Sequence, residues 1–483
     1  MPDTLKRLFA SKGLFRAFAA LVLALGALHL FSGIADNMDF NRSISFFIQR
    51  PDGFDSLFPV AGSDEAHRLF LTYWHDKWVF RPRLFERPAL FTLSSYKIYL
   101  FAQSLFVRLL NGGTHDYSLI IGSLISRAIY FGSFLTLFVQ TRRTENLLVS
   151  WVFMALAGVL ALSSEFSAFF NTFFEDQLVI IFLPVLALIV YCIDRSRQGQ
   201  RALRWSALGL ATFIGAAKTA YFPLPLIVAP FVLPLYAGRR AALKAAAVMA
   251  LCLCITVLPV FSGAFKGVNQ YHALYAGALT VLSQDEAASI GHIGDKPVLK
   301  ECIQVVAFDP KGLSCLERAH STYFDVLRLV ALKPAIVPRV IGAMFEAGND
   351  IRIGYLGTTM EHTGNFMYVP VFAWWRDLYV HHVNCAVLGS LFVSIILIAR
   401  FRKTERAGRL ALLKVSCLLA LFGFACYATT FGDGLADSTR HLIAASYALS
   451  LSAVLFVPGV IALLARHSAS VSPDGSARTV QPV

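Results

Sequence analysis

Long apolar runs recur along the chain and are separated by shorter polar stretches. Several of them reach the roughly 20 residues that a helix needs to cross a bilayer. The pattern predicts ten membrane-spanning helices, at residues 17–34, 118–139, 146–163, 178–193, 204–217, 222–237, 242–262, 383–400, 411–429 and 441–465. The chain is therefore expected to be an all-α membrane protein with about ten transmembrane helices.

Composition and charge agree with this class. Of the 483 residues, 56% are hydrophobic and only 15% are charged. The net charge of +13 comes largely from basic residues in short loops, at 6–16, 142–143, 195–204, 239–244 and 400–409. Because loops rich in Lys and Arg stay in the cytoplasm, both termini are expected there. Since the cations are scattered over these loops, they indicate topology and contact with anionic membrane lipids and argue against a nucleic-acid partner.

This topology divides the chain into five regions. They are a cytoplasmic N-terminus at 1–16, seven spans at 17–262 with an outer loop at 35–117, a large outer region at 263–382, three spans at 383–465, and a cytoplasmic tail at 466–483. Both outer loops are too long to be connectors and are expected to fold. The Ser, Pro and Gly content of the tail predicts disorder.

The N-terminus has a second interpretation. Lys6 and Arg7 precede an apolar stretch that ends near Gly33 and Ala35, as in a cleavable signal peptide. The stretch is long for a signal peptide, and its removal would leave an odd number of spans. A retained first span is therefore favoured.

Two features bear on the structure of the outer loops. Residues 96–110 form an amphipathic pattern, typical either of a helix along the membrane interface or of a helix packed within the loop domain. Cys302 and Cys315 are spaced for a loop-closing disulfide in an oxidising compartment, and two buried thiols are the alternative.

The first outer loop opens on two acids. Asp36 and Asp39 are three positions apart, so they share a face if the first helix continues one turn beyond the membrane. One carboxylate can accept a proton from a sugar or lipid hydroxyl, and the second can bind a divalent cation such as Mg²⁺ or Mn²⁺ or orient the acceptor. Alternatively, both acids end the span and are solvated. Glu65 in the same loop is a further candidate for substrate binding.

The second outer loop, at 163–177, embeds acids in a run of phenylalanines. Acids at a membrane edge are costly to bury without partners, so Glu165 and Glu175, with Asn171 between them, are candidates for substrate binding. An aromatic belt explains the phenylalanines but does not explain the acids.

Two cations at the outer edge run against the charge bias. Lys218 lies in a tight turn between two apolar runs, where it suits a phosphate at headgroup depth or snorkels from a span end. Arg440 begins the last span, where it opposes the helix dipole unless an anion binds there. The same segment supplies Asp433, Asp437, which can cap the helix, and His441 as further candidates.

These features together resemble a known family. The acid-opened first loop, the Lys218 turn and the Gly-Asp-Gly-x-Ala-Asp-x-x-Arg-His segment that ends at His441 are similar to the GT-C superfamily of polyprenyl-phosphate-sugar-dependent glycosyltransferases. Within it, the chain resembles bacterial hexosyltransferases of cell-surface glycans. Segments 170–175, 269–277, 333–334 and 354–357 also match, and they contain Asn171 and Tyr271, the latter a further substrate-binding candidate.

The resemblance implies a GT-C-like fold with its active site on the periplasmic side of a bacterial inner membrane. It implies that Asp36 or Asp39 is the catalytic base and that Lys218 and Arg440 contact the phosphate of a polyprenyl-phosphate sugar donor. A glycan or a lipid-linked molecule would be the acceptor, and transfer would invert the anomeric centre. No cofactor is implied with certainty, and a divalent cation held by Asp36 and Asp39 stays open.

Two other classes of protein fit parts of the pattern. A flippase or transporter of lipid-linked glycans needs charges deep within its spans or paired broken helices, and the break near Lys218 is of that kind. A non-catalytic membrane assembly protein would tolerate loss of the acids.

Overall fold

The computed structural model describes residues 11–30, 32–34, 43–51, 76–81, 94–195, 199–233, 239–262, 266–307, 309, 311–348, 357–358, 374–401, 410–430, 432, 434–435 and 438–465. These residues are mostly helical. The α-helices are α1 (Lys12–Ala27), α2 (Ser95–Leu110), α3 (Leu119–Thr144), α4 (Leu147–Ala161), α5 (Ser164–Ser167), α6 (Asp176–Arg195), α7 (Gln200–Gly215), α8 (Leu224–Val232), α9 (Arg239–Ser262), α10 (Lys266–Ala273), α11 (Gln284–Ser289), α12 (Gly312–Ala319), α13 (Tyr323–Leu332), α14 (Ile336–Ala347), α15 (Trp374–Phe401), α16 (Ala411–Thr430) and α17 (Ser438–Ala465).

Short strands make three small antiparallel sheets among the described residues. The strands are β1 (Ser32–Ile34), β2 (Ile48–Gln49), β3 (Lys77–Phe80), β4 (Asp116–Ser118), β5 (His292–Ile293), β6 (Lys296–Pro297) and β7 (Gly357–Thr358). Strand β1 pairs with β7, β3 lies between β2 and β4, and β5 pairs with β6. The all-α prediction therefore holds for most of the described residues. The exceptions lie in or beside the segments predicted to be outer loops, and β1 lies at the end of the predicted first span.

The membrane-spanning prediction is confirmed in part. In the part of the chain that the structure describes, four helices are long and apolar enough to cross a membrane, namely α3, α6, and the segments Ala411–Thr429 and Arg440–Leu464 of α16 and α17. Helix α4 and the segment Glu165–Asn171 meet at a bend of 53° and count as a fifth candidate span if the two are taken together. Each of the other predicted spans overlaps a helix, but α7 has 16 residues and α8 has 9, short of a full crossing. The described residues thus show four or five spans and not ten.

Helix α1 ends earlier than predicted. It stops at Ala27, and the chain is extended by Ser32–Ile34, where it pairs with β7. The helical continuation that would have placed Asp36 and Asp39 on one face is therefore wrong. Gly and Ser at 32–33 favour this exit, since both are poor helix formers. The helix itself belongs to the bundle, because a methyl group added at Gly26 would lie 2.6 Å from the Phe131 ring of α3.

The two ends of the bundle carry different pairs of side chains. At one end, Lys414 Nζ lies 2.6 Å from Asp194 Oδ2, and Arg195 pairs with Glu145. These contacts bring the last turns of α3 and α6 to the start of α16. At the opposite end lie the starts of α6 and α17, the end of α16 and the turn after α7, since Thr429 Oγ1 donates to the carbonyl of Ala220 at 2.7 Å. This second end carries the candidate site.

Helix α2 buries polar side chains and exposes several large apolar ones. Lys97 and Gln103 are buried, whereas Leu109 is 80% exposed and Ile98 is 56% exposed. Gln103 Nε2 donates to the carbonyl of Gly122 in α3 at 2.6 Å, which seals the polar face against the bundle. Exposed apolar side chains next to membrane helices suit lipid better than water. Of the two alternatives for 96–110, the interfacial one fits this geometry better.

The described part of the large outer region, at 266–348, is a small helical domain. A disulfide joins Cys302 to Cys315, 13 residues apart, as one of the two alternatives for this pair predicted. Helix α13 begins at a capping box in which Thr322 and Asp325 bond each other's backbone, and Lys296 Nζ lies 2.9 Å from Asp325 Oδ2. Burial raises the pKa of Asp325, but hydrogen bonds from Lys296 and Thr322 outweigh it and hold the pKa below its usual value.

Candidate phosphate-binding site

The site is centred on a break between two apolar helices. Helix α7 ends at Gly215, where an added methyl group would lie 2.8 Å from Thr256 Cγ2, so α9 approaches too closely for a larger residue. The chain then runs through Lys218 in an extended conformation and into a single turn at Thr219–Tyr221. Ser94 Oγ donates to the carbonyl of Ala217 at 3.0 Å and fixes this break from outside the bundle. The break turns the Lys218 side chain inward, where it is only 8% exposed.

Asp176 is the counter-ion of Lys218. Lys218 Nζ lies 3.3 Å from Asp176 Oδ1, and the hydroxyl of Tyr221 donates to the same carboxylate oxygen. Asp176 stands in the first turn of α6, where the helix dipole favours a negative charge. A buried ammonium is thus held by a buried carboxylate, with Glu175 next to it in sequence.

His441 joins Lys218 to Arg440. Lys218 Nζ lies 3.1 Å from His441 Nδ1, and His441 Nε2 lies 3.5 Å from Arg440 Nη2. The Arg440 guanidinium also lies over the ring of Phe174, with Cζ 5.1 Å from the ring centre. Three nitrogen-bearing side chains from two distant parts of the chain therefore form a row, which we call the cation row (Lys218, His441 and Arg440).

Hydrogen-bond chemistry makes this row a concentration of donors. An ammonium can only donate, so Nδ1 of His441 accepts from Lys218, and a neutral imidazole then carries its proton on Nε2. Arg440 also only donates, so two donors face each other across 3.5 Å. An oxyanion placed beside them accepts from both. The positive end of the dipole of α17, whose first turn carries Arg440 and His441, adds to the attraction.

The predicted candidates of the second outer loop lie in the bent segment before α6. Glu165 is buried and accepts a hydrogen bond from Ser163 Oγ at 2.7 Å. Asn171 Nδ2 donates to the carbonyl of Leu30 at 2.8 Å, which ties the segment to the end of α1. Glu175 is half-buried and immediately precedes Asp176. The segment thus connects the end of α1 to the cation row.

Tyr271 has a structural place in the outer domain. Its hydroxyl lies within hydrogen-bonding distance of the carbonyls of Cys302, at 3.2 Å, and Val305, at 2.9 Å, and its ring stacks on Tyr275. Burial raises the pKa of Tyr271 above its usual value. These contacts occupy the hydroxyl that a substrate would use.

The neighbouring His272 couples the outer domain to the segment before α17. Its Nε2 accepts from the backbone N–H of Ala307 at 2.9 Å, and burial lowers its pKa to about 4, with Asp309 acting in the opposite direction. A methyl group on Gly434 would lie 2.4 Å from the His272 carbonyl oxygen, and Gly434 has a φ of +76°. Both facts require glycine there. The outer domain therefore fixes the chain four residues before α17 begins.

Five predicted site residues, Asp36, Asp39, Glu65, Asp433 and Asp437, lie outside the described residues. The predicted divalent-cation site of Asp36 and Asp39 therefore also lies outside the described residues. Across the described ranges, no group of three or more His, Cys, Asp and Glu side chains is placed to hold a metal ion.

The sequence indicated Lys218, Arg440 and His441, and Asp176 is one of the acids of the second outer loop that an aromatic belt does not explain. It assigned neither Asp176 nor Tyr221 as a partner of Lys218. Asp176 offered a signal, since it is an acid at the first position of an apolar run, next to the assigned Glu175. Tyr221 offered none, because aromatic residues are common throughout the chain.

Comparison with known proteins finds a chain of similar sequence. The chain is 24% identical over 388 residues to the uncharacterized protein YfdI of Escherichia coli (strain K12), an alignment that covers 74% of this chain and 79% of YfdI. No family model matches the chain, and no solved structure matches it.

Proposed function

We propose that this chain is an integral-membrane glycosyltransferase that takes a sugar from a polyprenyl-phosphate donor at the periplasmic face of a bacterial inner membrane. The observation that carries the proposal is the cation row. Lys218, His441 and Arg440 concentrate hydrogen-bond donors at one end of a membrane bundle, where the phosphate of a lipid-linked donor would lie.

The proposed topology has ten spans with both termini in the cytoplasm. It is supported by the four long apolar helices and by α9 and α15, whose lengths of 24 and 28 residues suffice for a crossing. The end of the bundle with Arg142, Arg195 and Lys414 is proposed as cytoplasmic, and the end with the cation row as periplasmic. The 302–315 disulfide agrees with an oxidising compartment on that second side.

The proposed reaction is a direct displacement. Asp36 or Asp39 removes the proton from the acceptor hydroxyl, and the hydroxyl oxygen attacks the anomeric carbon of the donor sugar. The bond from that carbon to the phosphate oxygen breaks, its electron pair leaves with the polyprenyl phosphate, and the anomeric centre is inverted. Lys218 and Arg440 stabilise the negative charge that develops on the leaving phosphate. The acceptor is a glycan or a lipid-linked molecule.

A second function is supported by a separate observation. Two helix breaks, at Lys218 and at the 53° bend before Asn171, lie in the part of the bundle that carries the site. Broken helices mark substrate sites in transporters, so a flippase for a lipid-linked glycan is the alternative. A flippase would bind the same phosphate but would cleave no bond.

The experiment is a transfer assay with purified protein in lipid nanodiscs. A panel of radiolabelled polyprenyl-phosphate hexoses and pentoses is offered with membrane glycolipid as acceptor, and both label transfer and release of polyprenyl phosphate are measured. We expect transfer by the wild type and its loss in Asp36→Asn or Asp39→Asn, with protein yield unchanged. Substrate binding without release of polyprenyl phosphate from any donor would reject the transferase in favour of a translocator.

The topology has its own test. Single cysteines placed at 35–117 or 263–382 should react with an impermeant maleimide in intact cells, while cysteines at 194–203 should not. Labelling at 194–203 from outside would reverse the proposed orientation and remove the site from the periplasmic face.

A further inference from the structure

Arg127 is a buried cation that the cation row does not use. It lies in α3, about 12 Å along the helix axis from Leu119, and is 6% exposed. Its Nη2 donates to the carbonyl of His29 at 2.8 Å, and its Nε lies 3.3 Å from Ser123 Oγ. The guanidinium carbon lies 5.3 Å from the centre of the Phe170 ring.

None of these three partners carries a negative charge. A carbonyl, a hydroxyl and an aromatic face together satisfy part of the guanidinium, and Nη1 is buried without a hydrogen bond among the described residues. A buried charge is costly, and charged side chains within membrane bundles pair with one another or with backbone carbonyls, as Nη2 of Arg127 does with His29. Nη1 is left as a charged donor that an anion can use.

A structural role at the end of α1 does not account for this burial. Arg142, at the other end of α3, makes the same contacts, since its Nη2 donates to the carbonyl of Ser11 at 3.2 Å and its Cζ lies 5.1 Å from the Phe15 ring. Arg142 is only half-buried and keeps part of its charge in water. Arg127 holds α1 in the same way but has lost that solvation.

The position of Arg127 matches that of Arg440. Arg127 covers Phe170 and Arg440 covers Phe174, four residues later in the same buried segment. Four residues of chain span at most about 14 Å, so the two guanidinium groups flank one short stretch of the bundle. Within the second outer loop, the stretch from Phe170 to Phe174 therefore has an arginine against the ring at each of its ends.

We propose that Arg127 binds a second phosphoryl group, carried by a second amphiphilic molecule, at the same end of the bundle as the cation row. The identity of the second molecule rests on the proposed function. Under that function it is the acceptor, which is itself linked to a lipid through a phosphate. The donor phosphate lies at the cation row, and the acceptor phosphate lies at Arg127. Two lipid-borne substrates would then enter from the membrane with both phosphates fixed.

Native mass spectrometry with farnesyl phosphate as the probe tests this. The wild type should bind two molecules, Arg127→Gln should retain one, and the matched control Arg142→Gln should retain two. In Arg127→Gln, the affinity of the second site for farnesyl phosphate should fall at least about tenfold, as expected for loss of a charge-assisted hydrogen bond. Two equal sites in a folded Arg127→Gln protein would overturn the proposal.

If Arg127→Gln does not fold, Arg127→Lys decides. Lysine keeps the charge but lacks the planar fork that lets Arg127 bond the His29 carbonyl through one nitrogen and a phosphate through another, so the second farnesyl phosphate should bind severalfold more weakly. An unchanged second affinity would contradict the proposal. Competition with phosphatidylglycerol identifies the source of the phosphate. We expect no displacement, and displacement that depends on Arg127 would keep the phosphate site and assign it to a bulk lipid headgroup.

These binding measurements are independent of transfer. Two Arg127-dependent sites without any transfer activity would reject the proposed function and retain the second phosphate site. Transfer activity with a single phosphate site would support the proposed function and reject the second phosphate site.

Discussion

Lys218 and His441 are 223 positions apart in the sequence, and their side chains meet with Nζ 3.1 Å from Nδ1. This contact joins the break after α7 to the first turn of α17. It also fixes the imidazole, because the ammonium donates to Nδ1 and leaves Nε2 to face Arg440. The site therefore depends on two distant segments keeping their relative position.

The first prediction concerns binding of the donor phosphate. Lys218→Ala and Arg440→Ala should each weaken binding of a polyprenyl phosphate about tenfold or more, because each removes a charged donor. The double variant should lose less than the sum of the two in free energy, since both groups act on one phosphate. Titration of purified protein in nanodiscs measures the three dissociation constants.

The matched control is the Lys–Asp pair at the other end of α6. Lys414 lies 2.6 Å from Asp194, as Lys218 lies 3.3 Å from Asp176. Lys414→Ala should lower stability by less than Lys218→Ala, because the Lys414–Asp194 pair is more exposed, and should leave phosphate binding unchanged. Strictly additive losses in the double variant, or an equal loss in Lys414→Ala, would count against a shared phosphate.

The second prediction concerns pH and the outer domain. Burial holds the pKa of His272 at about 4, below the value of 6.5 of an unfolded histidine. Between these values the unfolded chain binds a proton that the folded domain does not, so the contribution of His272 to stability falls as pH drops from about 6.5 to about 4 and is constant below that. The loss due to His272 should reach about 3 kcal/mol.

Hydrogen exchange of residues 266–348 as a function of pH measures this loss. His272→Gln should remove the dependence in that window, although it also weakens the bond from Ala307 N–H. A domain whose exchange protection does not change between pH 6.5 and pH 4 would show that His272 is not buried as a neutral group.

The third prediction concerns the exposed face of α2. A nitroxide label at residue 109 should be relaxed by oxygen, which concentrates in lipid, more than by a water-soluble nickel complex. The reason is that Leu109 is 80% exposed on an apolar face beside α3. A label at residue 317, where the exposed Glu317 lies in the outer domain, should show the opposite preference. Preferential relaxation of the label at 109 by nickel would place this helix in water.

The sequence predicted the positions of the helices better than it predicted how many of them are long enough to cross a membrane. Apolar runs locate α3, α6, α16 and α17 because a membrane-crossing helix needs only length and apolar composition. The helices α7 and α8 fall short because the break at Lys218 shortens both. The span at 17–34 was too long because residues after 27 find a strand partner at Gly357–Thr358, more than 300 positions away. Local composition does not encode such a pairing.

The cations of the site could be predicted from the sequence, but the contacts between its side chains could not. Lys218 and Arg440 run against the charge bias of the loops, and the structure brings both to one end of the bundle. Asp176 and Tyr221 contact Lys218, and His441 links Lys218 to Arg440. These contacts depend on packing between α6, α7 and α17. The buried Arg127 lay within an apolar run and was not assigned to the site, because its lack of a charged partner becomes visible only in three dimensions.

The fourth prediction concerns Gly434, which connects the outer domain to the cation row. A methyl group there would lie 2.4 Å from the His272 carbonyl oxygen, and a φ of +76° is strained for alanine. Because the bond from Leu435 N–H to the carbonyl of Ala276 would also move, Gly434→Ala should displace the start of α17. Binding of a polyprenyl phosphate should weaken severalfold, while the outer domain stays folded.

The control lies two positions earlier. A methyl group at Gly432 would meet nothing within 4 Å, so Gly432→Ala should bind the phosphate like the wild type. Phosphate titration of both variants, with hydrogen exchange of 266–348 as the check on folding, separates a local displacement from general unfolding. If Gly434→Ala binds as tightly as Gly432→Ala, the contact with His272 does not position Arg440 and His441, and the outer domain has no part in forming the cation row.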